Sequence, residues 1–350
     1  MSAGPGPMQV VVVGGAGVLG QALLRAIVAR GVLTRSDGSL APVRRVIAVD
    51  HSQLPRLFVD PRVEYVRAEL STPRLLATVM GYATDSVFHA WDGGDRDRDE
   101  GETRSFALID SLRDLFAACK VQPSRPKVVL ASSYAAALNS PPLSGLRERG
   151  RASPGVAGLR PAKPGVRAGQ GPGASERAPA SQEGLTALVG ELLLTEAVRR
   201  GEVDGRALRL ALTTDAPGCA SFVGELLRAV GGGGPALCPV ARDTPLWLSC
   251  AAAAARALVH AHELPAVAWA EAGPLNAPAR TLNVSALVQA LERLAGASIG
   301  QLSDEPDAAL CQALAQRPER VAIEASLALG FEEGPDAEAL VRELVPSLRQ

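Results

Sequence analysis

The chain has 350 residues, with 36 Lys and Arg against 37 Asp and Glu, a formal net charge of −1. Near-neutral charge excludes a nucleic-acid role driven by overall electrostatics. At 47% hydrophobic and 21% charged residues, the composition is that of a soluble folded protein of one large domain or two modest ones.

No apolar run reaches the roughly 18 residues of a membrane-spanning helix. The first nine residues carry no Lys or Arg, so the VVVV that follows is not read as the core of a signal peptide. The five cysteines, Cys119, Cys219, Cys238, Cys250 and Cys311, form no C-x-x-C pair. That spacing argues against a disulfide framework or a structural zinc and for a reducing compartment. The expectation is a cytoplasmic protein with no metal, no membrane contact and no nucleic-acid partner.

In chain order, residues 9–13 are a β-branched run without a charge, the mark of a strand buried on both faces. GGAGVLG follows, then a helical pattern in QALLRAIVAR. Further strands are expected at 46–50, 63–70, 85–91 and 127–133, with helices near 72–80 and 104–119 between them. This alternation predicts a Rossmann-type doubly wound parallel α/β sheet. Residues 141–182 hold seven Pro and eight Gly, with seven Arg or Lys against two Glu, and keep no apolar period. They are expected to be a solvated insertion. A helix at 185–200 and a strand at 207–214 resume the pattern. Helices at 250–262, 284–295 and 336–345, with an extended piece at 280–285, then suggest a small C-terminal substrate lobe. The expected divisions are a dinucleotide-binding core at 8–137, the insertion at 138–182, and the end of the sheet with the lobe at 183–350.

Gly14, Gly17 and Gly20 lie between the first strand and the first helix. Such a triplet permits a tight turn, close approach of a diphosphate to the backbone, and close helix–strand packing. The N–H groups of Val18 and Leu19 then open the helix toward the phosphates. Asp50 ends the second long strand, where a carboxylate accepts both ribose hydroxyls and repels a 2′-phosphate. These features predict NAD as cofactor.

GGAGVLG, VIAVD, VFHAW and VVLASS, in that order, resemble the extended short-chain dehydrogenase/reductase family, the NAD-dependent epimerase/dehydratases. Within it, GVLTRSDGSLAPVRRVIAVD, ELLLTEAVRRGEVDGRALRLAL and LALGFEEGPDAEALVREL are similar to the D-erythronate dehydrogenase-like proteins. The resemblance implies that Glu69 and Leu70 lie beside the adenine, that Ala90 is the small residue after strand four, and that Ser133 is the catalytic Ser. It also implies a small-molecule ligand such as a sugar acid, and a homodimer formed through helices 104–119 and 185–200.

The family transfers hydride with a Tyr and a Lys four residues apart, the ammonium lowering the phenol pKa. Here those positions fall on Glu183 and Ala187. Tyr65, Tyr82 and Tyr134 are followed four residues on by Glu69, Ser86 and Leu138, so no Y-x-x-x-K exists in the chain. Trp91 stands where the family keeps a small residue, and Leu248 and Ala252 where it keeps polar ligand contacts.

The resemblance thus implies an NAD-binding protein that has lost its Tyr/Lys dyad and binds or senses a ligand. The alternative is an active NAD-dependent oxidoreductase or epimerase on a sugar acid or nucleotide sugar, with a rearranged proton relay. Glu183 is expected to cap or solvate its helix start, and Tyr134 to face away from Ser133. His89 is expected to be a satisfied core residue, and His260 and His262 not to face each other.

Overall fold

The computed structural model describes residues 6–51, 57–70, 72–81, 83–90, 101–137, 181–215, 220–296, 299–315, 317 and 321–345. Trp91, Cys219 and residues 138–180 of the expected insertion lie outside them.

The first part of the chain runs β1 (Met8–Val13), α1 (Val18–Arg30), β2 (Val32–Thr34), β3 (Leu40–Asp50), β4 (Val63–Arg67), α2 (Leu75–Met80) and β5 (Ser86–His89). It continues through α3 (Gly101–Lys120), β6 (Lys127–Ser133), a 3₁₀ turn at Tyr134–Ala137, α4 (Gln182–Arg199) and β7 (Asp204–Leu210). Next come β8 (Leu212–Thr213), α5 (Ser221–Gly231), β9 (Ala236–Cys238), β10 (Leu246–Ser249), α6 (Ala251–Glu263), α7 (Ala266–Ala272) and β11 (Leu275–Asn276). The chain closes with β12 (Arg280–Leu282), α8 (Val284–Ala295), β13 (Leu302–Asp304), α9 (Ala308–Ala315), α10 (Glu324–Ala328) and α11 (Ala337–Leu344).

Seven of these strands form one parallel sheet in the order β11-β7-β6-β5-β1-β3-β4, with β2 antiparallel against the start of β3. The order reverses between β1 and β5, which makes the crevice beyond their carboxyl ends the switch point where ligands bind in such sheets. The β-branched run of β1 serves two layers. Val10 and Val12 pack with α1 and α6 through Leu23, Leu24, Ile27 and Leu258. Val11 and Val13 pack with α3 and α4 through Leu112, Leu115 and Leu194. Both faces of the strand are therefore apolar, and no alternation survives in its sequence.

The expected strand at 63–70 stops at Arg67, because its partner β3 ends at Asp50; Ala68 N–H still donates to the Asp50 carbonyl at 2.9 Å. The strand expected at 207–214 is two strands. β7 pairs with β6 as far as Leu210 beside Ser133, whereas β8 pairs with β10 through Leu212 and Leu248 in a separate three-stranded sheet with β12. At this point the chain leaves the central sheet for the C-terminal lobe. The lobe has its own core, in which α5, α8 and α11 enclose Leu226, Leu227, Leu248, Leu287, Leu291 and Leu340. α4 starts at Gln182 rather than 185, because Ser181 caps it by accepting from Gly184 N–H at 3.1 Å.

Candidate ligand site at the switch point

The loop between β1 and α1 is shaped by four glycines. Gly14 has φ +81°, a conformation that L side chains rarely adopt. A Cβ on Gly15 would lie 2.7 Å from the Ala48 Cβ, and one on Gly20 only 2.0 Å from the Gly14 carbonyl oxygen. Gly17 differs: among the described residues a Cβ there would meet only Gly14 O, at 3.4 Å. Gly17 is the N-cap of α1 and has no side chain of its own to cap the helix. The opening turn, including Val18 and Leu19, carries the free backbone N–H groups and the positive end of the helix dipole.

Asp50, buried at the end of β3, aims its carboxylate at this loop. Its Oδ2 accepts from Ala16 N–H at 2.9 Å and Gly17 N–H at 3.2 Å, and Oδ1 lies 3.2 Å from His51 Nδ1. Gln21 secures the loop from the helix side, donating to Gly15 O at 2.6 Å and accepting from Phe58 N–H at 2.6 Å. Ala90 N–H donates to Val13 O at 2.9 Å, which holds the ends of β5 and β1 together. Glu69 is exposed just beyond β4, whereas Leu70 is wholly buried in the core under α2. The loop, the helix end and the carboxylate closing β3 suit a dinucleotide diphosphate, and the absence of a side chain at Gly17 is what close backbone approach requires.

The second half of the site lies at the end of β6. Ser133 Oγ donates to Glu183 Oε1 at 2.6 Å and accepts from Ala135 N–H at 3.2 Å. Both carboxylate oxygens of Glu183 are engaged by the guanidinium of Arg317, a residue of the C-terminal lobe. The Arg317 side chain is only 8% exposed and the Glu183 side chain 50%. The guanidinium carbon also lies 5.7 Å from the centre of the buried Tyr134 ring.

The expectation that Glu183 merely caps or solvates its helix is thus corrected. Ser181 does the capping, and Glu183 reaches across to the strand end and the lobe. Tyr134 opens the 3₁₀ turn after β6 rather than continuing the strand, and its buried ring lies against the Arg317 guanidinium. Arg317 itself was not legible in the sequence, since 134 residues separate it from Glu183 and no motif surrounds it.

Glu183, Ala187 and Glu191 fall one per turn on a single stripe of α4. Glu191 is 1% exposed, accepts from Ser132 Oγ at 2.6 Å, and forms a bidentate pair with Arg209 of β7 at 2.8 and 2.7 Å. This buried pair presses the stripe onto β6 and β7 and sets where Glu183 and Ala187 meet the strand ends. Ala187 contributes a methyl group to this stripe.

The other candidates lie elsewhere. His260 bonds the Leu329 carbonyl at 2.9 Å, and His262 bonds Ser86 Oγ at 2.8 Å and Glu263 Oε1 at 2.8 Å, so the two do not converge. His89 is only half satisfied: Nε2 meets Ser111 Oγ at 3.3 Å, and Nδ1 has no partner among the described residues. Burial pushes its pKa down to about 4. Leu248 is core and Ala252 packs against that core. Burial pushes the Cys119 thiol up to about 12, leaving it inert. Among the described residues no cluster of His, Cys, Asp or Glu is fit to hold a metal ion, and no helix is long and apolar enough to cross a membrane.

A glycine-cradled helix end at the switch point of a doubly wound sheet, with an acid closing β3, defines a Rossmann-type dinucleotide-site architecture. No family model matches the chain. It is 30% identical over 347 residues to a D-erythronate dehydrogenase of Cupriavidus necator, covering 96% of this chain and 97% of that protein. Its structure is similar to a nucleoside-diphosphate-sugar epimerase of Agrobacterium tumefaciens, with TM-score 0.74 and 22% identity over 98% and 96% of the two chains. It is also similar to a Thermus thermophilus UDP-glucose 4-epimerase solved in complex with NAD, with TM-score 0.67 and 16% identity over 98% and 99%. With whole-chain similarity at this level, the protein belongs to the extended short-chain dehydrogenase/reductase family.

Proposed function

We propose that this chain binds NAD above the β1–β5 switch point and holds a small-molecule ligand beside Ser133 without the proton relay of its family. The observation that carries the first half is Gly17, a helix start with no side chain of its own, where a Cβ would meet only Gly14 O among the described residues and Asp50 holds the N–H from behind. The backbone of Gly17, Val18 and Leu19 would hold the diphosphate and Asp50 the ribose, favouring NAD over its 2′-phosphorylated form. Glu69 and Ala90 flank that place. When bound, NAD would supply the hydride acceptor or donor. In this reading residues 8–137 are the cofactor core, while 183–350 complete the sheet and form the ligand lobe.

On the ligand side, a hydroxyl gives up its proton only to a base of suitable pKa. Glu183 and Ala187 provide neither a phenol nor an ammonium to tune one. The chain is read as a ligand-binding or regulatory member of the family, with a sugar acid as the ligand class suggested by its relatives. A second reading, an active sugar-acid oxidoreductase with Glu183 as relay, draws on the 2.6 Å bond between Ser133 and Glu183.

Calorimetric titration with NAD⁺, followed by a search for NADH formation from D-erythronate, separates them. Micromolar NAD⁺ binding without turnover is expected. Turnover that disappears in Ser133→Ala would establish the second reading. Absence of NAD⁺ binding would sink both. If the scaffold is sound, the double variant Glu183→Tyr, Ala187→Lys gains dehydrogenase activity.

A further inference from the structure

We infer that Gln21, Phe58 and Tyr65 form one positioning unit for the adenosine diphosphate half of NAD, setting the loop after β1 and the chain that follows Asp50 together. The inference rests on the reading of the β1–β5 switch point as the cofactor site. Gln21 lies on α1 one turn past Gly17 and is only 5% exposed. Its amide nitrogen donates to Gly15 O at 2.6 Å and to Tyr65 Oη at 3.1 Å, and its oxygen accepts from Phe58 N–H at 2.6 Å. Both amide protons and the amide oxygen are in use. The partners fix which way round the amide sits, since Gly15 O can only accept and Phe58 N–H can only donate.

Tyr65, on β4, closes the ring. Its hydroxyl donates to Phe58 O at 2.8 Å while accepting from Gln21. The N–H and the carbonyl of Phe58 are therefore both held by side chains, one from α1 and one from β4. The Arg25 guanidinium, a further turn along α1, lies 5.5 Å from the centre of the Phe58 ring. Phe58 belongs to the connection from β3 to β4, which begins just after Asp50. The side chain that grips the glycine loop thus also grips the connection that leaves the ribose acid.

For the loop, the consequence is which groups meet a phosphate. A diphosphate is bound by N–H groups and repelled by carbonyl oxygens. The Gly15 carbonyl is part of that loop, and the Gln21 amide takes up its oxygen. An apolar side chain at position 21 would release the oxygen and the Phe58 N–H together. Tyr65 acts through Gln21 and Phe58, and both Gln21 and Tyr65 are positioning residues. Their partners lie on the β1–α1 loop, the β3–β4 connection and β4, so the unit bears on the adenosine side and not on the end of β6.

Gln21→Leu keeps the size of the side chain and removes its hydrogen bonds, whereas Tyr65→Phe removes one hydroxyl. Calorimetric titrations of the whole chain with NAD⁺ and with ADP are expected to show Gln21→Leu weakened about tenfold for both, and Tyr65→Phe about threefold for both. The double variant should be no more than about twofold weaker than Gln21→Leu alone, because the hydroxyl reaches the glycine loop only through the amide. The fluorescence of NADH at saturation, which reports the nicotinamide end, should match the parent in each variant. Thermal unfolding without nucleotide reads any loss of stability separately, since a merely structural role lowers the melting temperature and leaves the Kd of the folded chain alone. Unchanged ADP affinity in both single variants, a loss confined to NAD⁺, an altered NADH fluorescence, or fully multiplicative losses in the double variant each overturns the inference and leaves the cofactor reading standing. If Gln21→Leu does not fold, the ADP affinity of Tyr65→Phe decides alone. A parent chain that binds neither NAD⁺ nor ADP overturns the cofactor reading, and this inference with it.

Discussion

Gly17 and Gly20 stand three residues apart, yet a methyl group added to each meets different surroundings. At Gly20 it would sit 2.0 Å from a backbone oxygen that no side-chain rotation can move away. Gly20→Ala is therefore expected to lower unfolding stability by about 3 kcal/mol or more, as overpacking against fixed backbone does. At Gly17 the backbone has φ −65° and the nearest atom of the described residues is 3.4 Å away. Gly17→Ala should leave stability within about 0.5 kcal/mol of the parent. The same methyl would stand where a diphosphate approaches the helix end, so NAD⁺ affinity should fall at least about tenfold. Thermal unfolding and calorimetry on the two variants check the pair. A Gly17→Ala chain that binds NAD⁺ normally would remove this loop from the cofactor site.

At the scale of the elements, α3 and α4 share one side of the sheet and pack on one another through Leu112 and Leu194. Their other faces carry large apolar side chains in the open, with Phe106 59% exposed on α3, and Leu185 and Leu192 about half exposed on α4. Leu185 and Leu192 are seven residues apart and so lie on one stripe. Around the α3–α4 groove, Arg113, Lys120 and Arg200 alternate with Glu196 and Glu202. A surface with both charge signs beside apolar residues suits a two-fold copy of itself. We propose that a second copy of the chain covers it, giving a homodimer. Light scattering behind size-exclusion chromatography should read a dimer for the parent and a monomer for Leu192→Glu. A monomeric parent at micromolar concentration would refute the assignment.

For the molecule as a whole, two buried imidazoles tie stability to pH. Burial lowers His89 from 6.5 to about 4, and burial also lowers His262 to about 4 against the hydrogen bond it makes with Glu263. Burial tends to raise the Glu263 carboxyl, but bonds from His262 and Thr34 outweigh it and hold the group at about 2. Between pH 6.5 and 4 the unfolded chain carries more protons on these histidines than the folded one. Their neutral burial therefore costs nothing above pH 6.5, and stability is lost as pH falls toward 4, by about 1.4 kcal/mol per unit for each group. Urea unfolding across that window should show the decline, and His89→Leu should make it shallower. An unchanged slope in that variant would mean that His89 is already protonated in the folded chain.

The sheet was legible in the residues because strands buried on both faces must be apolar throughout. The runs at 9–13, 46–50 and 127–133 are local consequences of that requirement. The glycine loop was legible for a similar reason: tight turns and close approaches demand Gly at fixed spacing, and Gly14, Gly17 and Gly20 meet the demand within seven residues. The absence of a Y-x-x-x-K motif is also a property of the sequence alone. What the sequence does not contain is the meeting of distant charges. Arg317 has no local pattern, because its partner Glu183 comes from another element, and only packing of the lobe onto the end of β6 brings the guanidinium to it. The same holds for Glu191 with Arg209 and for the half-satisfied His89. A charge or a buried nitrogen takes its meaning from what faces it, and that is decided by tertiary contact rather than by neighbours along the chain.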